Sequence, residues 1–170
     1  DLVNIGQVIA QFKTYASFIT HASVSGQVKS IKKVWHSSGK MVDAIEIEND
    51  HKNTLDESIK ERKNVGQLSR EALIDIMRDA GLTGLGGAGF PSYIKYQTKE
   101  NIHTLIINAV ECEPYLTCDY QFIMKFPEKL LKGASYMMRA AGAEKAKIAF
   151  KAYNEKIGDV LQPYLERYPN

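Results

Sequence analysis

The segment Gly81-Leu-Thr-Gly84-Leu-Gly86-Gly87-Ala-Gly89-Phe90-Pro91 holds five of the chain's twelve glycines, and Asn108-Ala-Val-Glu111-Cys112-Glu113-Pro114-Tyr115 follows it after a short apolar run. Glycine lets a backbone approach a ligand closely and turn its N–H groups inward, so such a loop can cradle phosphate. A carboxamide and carboxylates at the end of a strand would supply side chains for the rest of the same ligand. Gly84-x-Gly86-x-x-Gly89 fits the dinucleotide pattern by letter, but that fingerprint follows a strand and opens a helix. Here a helix runs into the loop instead. Ser69 reads as its N-cap, Leu73, Ile74, Met77 and Ala80 recur at helical spacing, and Gly81 sits at its C-terminal turn. Phe90-Pro91 then holds off any further helix until Ser92. The loop is not the ordinary Rossmann phosphate turn, and by itself it leaves a connector as the lesser alternative.

The second segment narrows the choice. Thr104-Leu-Ile-Ile-Asn108 reads as a buried parallel strand, and ligands of open α/β sheets gather beyond the carboxyl ends of strands. If the chain stays extended there, Glu111 and Glu113 point to one side; otherwise they are solvated loop charges.

Gly81 to Lys95 and Asn108 to Tyr115 together resemble the FMN-binding module shared by the flavin subunit of respiratory complex I and the C subunit of the Rnf ferredoxin:NAD oxidoreductase. The Rnf-type pattern, Ile-Ile-Asn-(Gly/Ala)-Ala-Glu-Cys-Glu-Pro-Tyr, is nearer to Ile106-Ile107-Asn108-Ala109-Val110-Glu111-Cys112-Glu113-Pro114-Tyr115. Complex I has Asp and Gly where this chain has Val110 and Cys112. The resemblance implies that backbone groups of Gly84, Gly86, Gly87 and Gly89 line FMN and that Phe90 contacts the nicotinamide nucleotide. It further implies that Lys95 brings positive charge to the flavin, that Asn108 hydrogen-bonds it, and that Glu111 and Glu113 lie at its edge and at the nucleotide. One departure is Asp119-Tyr120-Gln121, where the Rnf-type pattern has Asp-Asp-Arg.

What the resemblance implies for function is hydride exchange between NAD(H) and FMN, followed by single-electron transfer to 4Fe-4S clusters held downstream of this fragment. No side chain is expected as a covalent catalyst. The implied partners are a nicotinamide nucleotide and other electron-transfer subunits, or, in a stand-alone relative, an amino-acid reductase such as proline reductase. The expected location is the cytoplasm, with a peripheral place at the inner face of the cell membrane and no insertion into it. The alternative from another class is a docking scaffold that keeps the fold without flavin.

Composition fits a globular chain of 170 residues, 44% hydrophobic and 25% charged, with a net charge of +2. No basic, aromatic-interleaved stripe marks a nucleic-acid surface, and Lys29, Lys32 and Lys33 read as a solvated strand face. Cys112 and Cys118 match neither zinc nor iron–sulfur spacing and read as reduced thiols, so no metal site is expected. His21, His36, His51 and His103 form no ligand pattern.

The expected fold is α/β, in which a β barrel-sandwich hybrid precedes a Rossmann-like parallel α/β flavin-binding domain. Residues 1–50 form the first part, with strands Val28–Trp35 and Met41–Glu48 around the turn His36-Ser-Ser-Gly39, and resemble biotinyl/lipoyl-like domains. Lys13 lacks the Met-Lys-Met context of a biotinylated residue. Residues 51–66 serve as linker and residues 67–170 as flavin domain. Within it, strand 104–108, helix 127–141, strand 147–150 and helix 154–167 predict a parallel sheet, with Leu130, Leu131, Ala134, Met137, Met138 and Ala141 as a buried stripe. The chain opens at Asp1 as if in mid-domain, and where it stops the pattern calls for another strand, so both domains read as partial.

Gly87→Val tests the loop, because a β-branched side chain is stiff and would enter space assigned to the flavin. The full-length variant is expected to lose FMN while keeping its circular dichroism and melting temperature. Flavin content per folded protein, measured beside the melt, decides it; full FMN retention would remove the loop from the binding site.

Overall fold

The structure, a computed structural model, describes residues 1–13, 17–84 and 89–168, with Lys13 and Ser17 described by backbone alone. Two compact units are present, residues 1–65 with 77–92 and residues 66–76 with 93–170.

In the first unit, β1 (Leu2–Val3), β4 (Gly26–Trp35) and β5 (Met41–Asn49) form an antiparallel sheet in the order β1-β4-β5, while β2 (Val8–Lys13) and β3 (Ser17–His21) form a separate hairpin. The alternation along β5 is the one its residues dictate: Ile45 and Ile47 are half-buried while Glu46 and Glu48 are exposed. Exposed lysines of β4 pair across the ladder, Lys29 with Glu48 at 2.6 Å, Lys32 with Glu46 at 2.7 Å and Lys33 with Asp43 at 2.9 Å. The expected solvated face is thus a cross-strand charge ladder. Buried Ser25 ties the sheet end to the following chain: its hydroxyl donates to Asp50 Oδ1 at 2.7 Å and accepts the Thr54 N–H at 3.1 Å.

The second unit is built on β6 (Thr104–Asn108) and β7 (Lys145–Ala149), paired parallel in register from Thr104↔Lys145 to Asn108↔Ala149. Its helices are α2 (Ser92–Tyr96), from Tyr93 onward, α3 (Cys118–Lys125), α4 (Pro127–Ala141) and α5 (Lys156–Leu165). Of α1 (Arg70–Asp79), residues 70–76 also belong here. Ala109, Ile123, Leu131, Ile157 and Leu161 form the core, with Ile148, Phe150 and Tyr164 packed on it.

Three local differences from the sequence expectation have physical causes. Helix α3 stands between β6 and α4, where no helix is expected, because its cap comes from a distant residue. The last helix begins at Lys156 rather than 154 because Ala152–Asn154 closes as a 3-10 turn, and it accepts Pro163 near its end, where few hydrogen bonds remain to be lost. Met137 is exposed and Ala140 is fully buried in its stead, so the buried face of α4 is turned toward smaller side chains. Among the described residues, no helix is long and apolar enough to cross a membrane.

The helices are joined by Arg70. Its Nε donates to Ala140 O, and its Nη2 to Tyr96 O and Thr98 O, each at 2.9 Å, so one cation serves the carboxyl ends of both α2 and α4. Such carbonyls have no intrahelical partners and carry the negative end of the helix dipole. Arg70→Ala is expected to cost about 2 kcal/mol, read as a fall of roughly 4–8 °C in melting temperature. An unchanged melt would mean that water replaces the guanidinium at no cost.

Candidate functional site

Beyond the carboxyl ends of β6 and β7 lies a cavity of about 510 Å³, lined by Glu111, Cys112, Glu113, Tyr115, Tyr120, Gln121, Lys151, Tyr153 and Asn154 among others. Its size falls within the usual range for small-molecule sites, and its place is the one where open parallel sheets bind ligands. A larger cavity of about 710 Å³ sits against α4, α5 and β7, lined by Leu131, Ala134, Ile148, Phe150, Leu161 and Leu165. That lining is mainly the apolar stripe of the core, with Ser135, Arg139, Gln162 and Arg167 also reaching it; the smaller cavity is the candidate because it lies past the carboxyl ends of the parallel strands.

Parallel pairing brings its parts together. The ladder extends one residue past the end of β6 through Ala109 N–H to Ala149 O at 2.8 Å. Asn108 closes a turn by accepting the Val110 N–H on Oδ1 at 3.0 Å. From Glu113 the segment turns: Leu116 N–H bonds Glu113 O at 3.3 Å, and Tyr115 takes a left-handed φ of 63° with its side chain fully exposed.

Glu111 and Glu113 therefore serve differently, although both line the cavity. Glu111 accepts the Asp119 N–H on Oε1 at 2.8 Å and the Tyr120 N–H on Oε2 at 3.4 Å. These are first-turn amides of α3, and Thr117 at the N-cap position makes no side-chain capping bond. Glu111 is thus the cap of α3, delivered from eight residues upstream. Glu113 stays exposed.

Cys118 completes a cluster with Glu111 and Asp119 whose ligand atoms lie within 4.8 Å of one another. Partial desolvation, followed by the charges of Asp119 and Glu111, pushes the Cys118 thiol above its usual value.

Of the remaining candidates, Lys95 is exposed on α2 and Asn108 ends β6, neither lining the cavity. Gly84, Gly89 and Phe90 belong to the first unit, where Gly84 N–H bonds Phe90 O at 3.0 Å and Thr83 bridges Pro91. Gly86 and Gly87 lie outside the described residues. Lys151, Tyr153 and Asn154 are lining residues that no motif announces, although a strand expected over 147–150 points to the residues just after it.

Residues 77–170 match the family described as the Nuo51 FMN-binding domain. The chain belongs to that family. Residues 1–52 match the RnfC barrel sandwich hybrid domain, so the chain carries the two parts in the order expected. The C subunit of the Na(+)-translocating ferredoxin:NAD(+) oxidoreductase complex of Acetobacterium woodii is 35% identical over 147 residues, covering 85% of this chain and 33% of the relative. The proton-translocating counterpart of Clostridium ljungdahlii is 33% identical over 168 residues, covering 98% and 37%. Cobalamin reductase PduS of Salmonella typhimurium is 39% identical over 98 residues, covering 58% and 21%. The chain spans about a third of the length of its oxidoreductase-complex relatives.

The residues present fit the cofactor that this family name implies. Gly89 has a φ of 64°, and among the described residues, its chain neighbours aside, no heavy atom lies within 4 Å of the place a Cβ would take. The cavity at the strand ends offers carboxylate, carboxamide, ammonium and tyrosine groups, a set suited to a polar ring system with ribityl or ribose hydroxyls.

If Glu111 caps α3, Glu111→Ala should cost about 1 kcal/mol and Glu111→Gln noticeably less. Hydrogen exchange should quicken at the Asp119 and Tyr120 amides in the alanine variant. Unchanged exchange at both would show that the cap is not formed in solution.

Proposed function

We propose that this chain supplies the flavin- and nucleotide-facing part of an electron-transfer protein working between NAD(H), FMN and iron–sulfur clusters. The observation that carries the proposal is that residues 77–170, matched to an FMN-binding domain, contain both the glycine loop and the Asn108–Tyr115 segment. In this reading, backbone groups of Gly84, Gly86, Gly87 and Gly89 hold FMN, Asn108 orients it, and Lys95 brings a compensating charge. Phe90 and Glu113 face the nicotinamide nucleotide, and Glu111 fixes the loop between β6 and α3. Bound FMN supplies the exchange between two-electron and one-electron chemistry, which no side chain provides. The chain's own work is to bind, orient and exclude water.

The relatives' names support placing the protein among the components of a ferredoxin:NAD(+) oxidoreductase complex; the 4Fe-4S clusters of this proposal would belong to sequence outside the 170 residues. A cytoplasmic position, peripheral to the inner face of the membrane, follows from that assignment. The similarity to a cobalamin reductase supports a common domain serving different electron acceptors.

The test is an FMN titration of the full-length apoprotein followed by flavin fluorescence. Saturable binding at one FMN per chain, with bleaching of the flavin absorption when NADH is added, is expected. A protein that remains colourless after reconstitution would instead be a docking scaffold. Lys95→Ala should weaken FMN or NADH binding about tenfold with a melting temperature within about 2 °C of the parent. Equal affinities would make Lys95 a surface charge only.

A further inference from the structure

We propose that Lys151, just past the carboxyl end of β7, binds a phosphate group of the nucleotide received by the strand-end cavity. The phosphate is that of FMN or the diphosphate of the nicotinamide dinucleotide. The inference rests on the function proposed above and adds a residue that the sequence motifs do not contain.

Topology places it first. Lys151 follows Ala149, the last residue of β7, much as Glu111 follows Asn108, the last residue of β6, and both lysine and glutamate line one cavity. The turn that carries it is closed by Asn154 N–H to Lys151 O at 2.9 Å, so the position is set by backbone geometry.

Charge is the second argument. Among the described lining residues Lys151 is the sole Lys or Arg, and it is half-buried. Its ammonium rests over the Tyr153 ring, 5.5 Å from the centroid, with no carboxylate partner among the described residues. Lys29, Lys32 and Lys33, by contrast, each hold a carboxylate within 3 Å. An ammonium with a ring face beside it and no carboxylate partner among the described residues is available to a phosphate oxygen as a point-charge contact.

The third argument is the lack of a competitor. The positive end of α3, the other anion-attracting feature at this edge, is already met by the Glu111 carboxylate. Glu111 and Glu113 repel phosphate from the β6 side, so the anion is directed to the β7 side and sugar hydroxyls to the carboxylates. The cavity thereby acquires a polarity along which a nucleotide can lie in one sense only.

Lys151→Ala and Lys151→Arg in the full-length protein test this with phosphate-bearing and phosphate-free probes. FMN and riboflavin are titrated into apoprotein, and NADH and reduced nicotinamide riboside into the FMN-loaded form. The alanine variant should lose about tenfold in affinity for FMN with riboflavin unchanged, or for NADH with the riboside unchanged, and arginine should restore most of the loss. The first pattern assigns the phosphate to FMN and the second to the dinucleotide. Affinities within about twofold of the parent for both, or equal losses for the phosphate-free probes, overturn the proposal. A parent that binds neither FMN nor NADH overturns the function itself, and this inference with it; a parent that binds both beside an unaffected variant overturns only the role of Lys151.

Discussion

The in-register parallel pairing of β6 and β7 is the constraint on which the candidate site depends. Parallel strands end on the same edge, so pairing Asn108 with Ala149 obliges the chains leaving both strands to emerge side by side. Two short segments separated by some forty residues thereby come to line one cavity. Antiparallel pairing would send them to opposite edges. The pairing is secured by apolar contacts on the helical side, where Ile148 and Phe150 pack on Leu131, Ile157 and Leu161. The same residues that make the core thus decide where the polar groups meet.

Glu111 shows how a charged residue in a binding motif can be occupied by structure. Both of its carboxylate oxygens receive backbone N–H groups of α3, whose own N-cap residue contributes no side-chain bond. Capping from a distance is more than local stabilisation. It closes the loop from Val110 to Thr117 against the helix, and this loop carries Glu113 and Tyr115 to the cavity. An acidic pair spaced for a single extended face becomes one fastening residue and one exposed residue because Glu111 is taken up by the α3 amides while Glu113 sits in the turn closed by Leu116 N–H to Glu113 O.

Features encoded by neighbours in sequence were legible there. The Ser69 cap, with Ala72 N–H on its hydroxyl at 3.2 Å, the end of α1 near Gly81 and the strand at Thr104–Asn108 all follow from residues a few positions apart, whereas helix α2 was not expected and the strand is not buried as expected, Ile106 being 65% exposed. At Gly81, a φ of 65° coincides with an approach in which an added Cβ would stand 2.5 Å from Ile19 O, so the glycine expected as a helix stop is also required by packing. Helix α3 was not legible because its cap comes from position 111 rather than from the residues beside it. Arg70 was equally silent, since its value lies in carbonyls at Tyr96, Thr98 and Ala140 that only folding brings within reach. The division of labour between Glu111 and Glu113 needed the backbone turn, which the letters E-C-E-P do not state.

Lys151 belongs between these classes. Its neighbours spell no motif, yet a strand ending near Ala149 and the rule that ligands gather past carboxyl ends together single out the turn that bears it. What sequence could not supply was the state of its charge. The lysines of β4 and Lys151 are the same residue type in similarly charged surroundings, but cross-strand geometry gives the former their carboxylates while the turn after β7 gives Lys151 a tyrosine ring. With the α3 amides met by Glu111, the carboxylates lining the cavity come from the β6 side and its lysine from the β7 side. A binding cavity with such a division discriminates by orientation as well as by affinity, since a ligand with one anionic end and one hydroxyl-rich end meets repulsion when reversed.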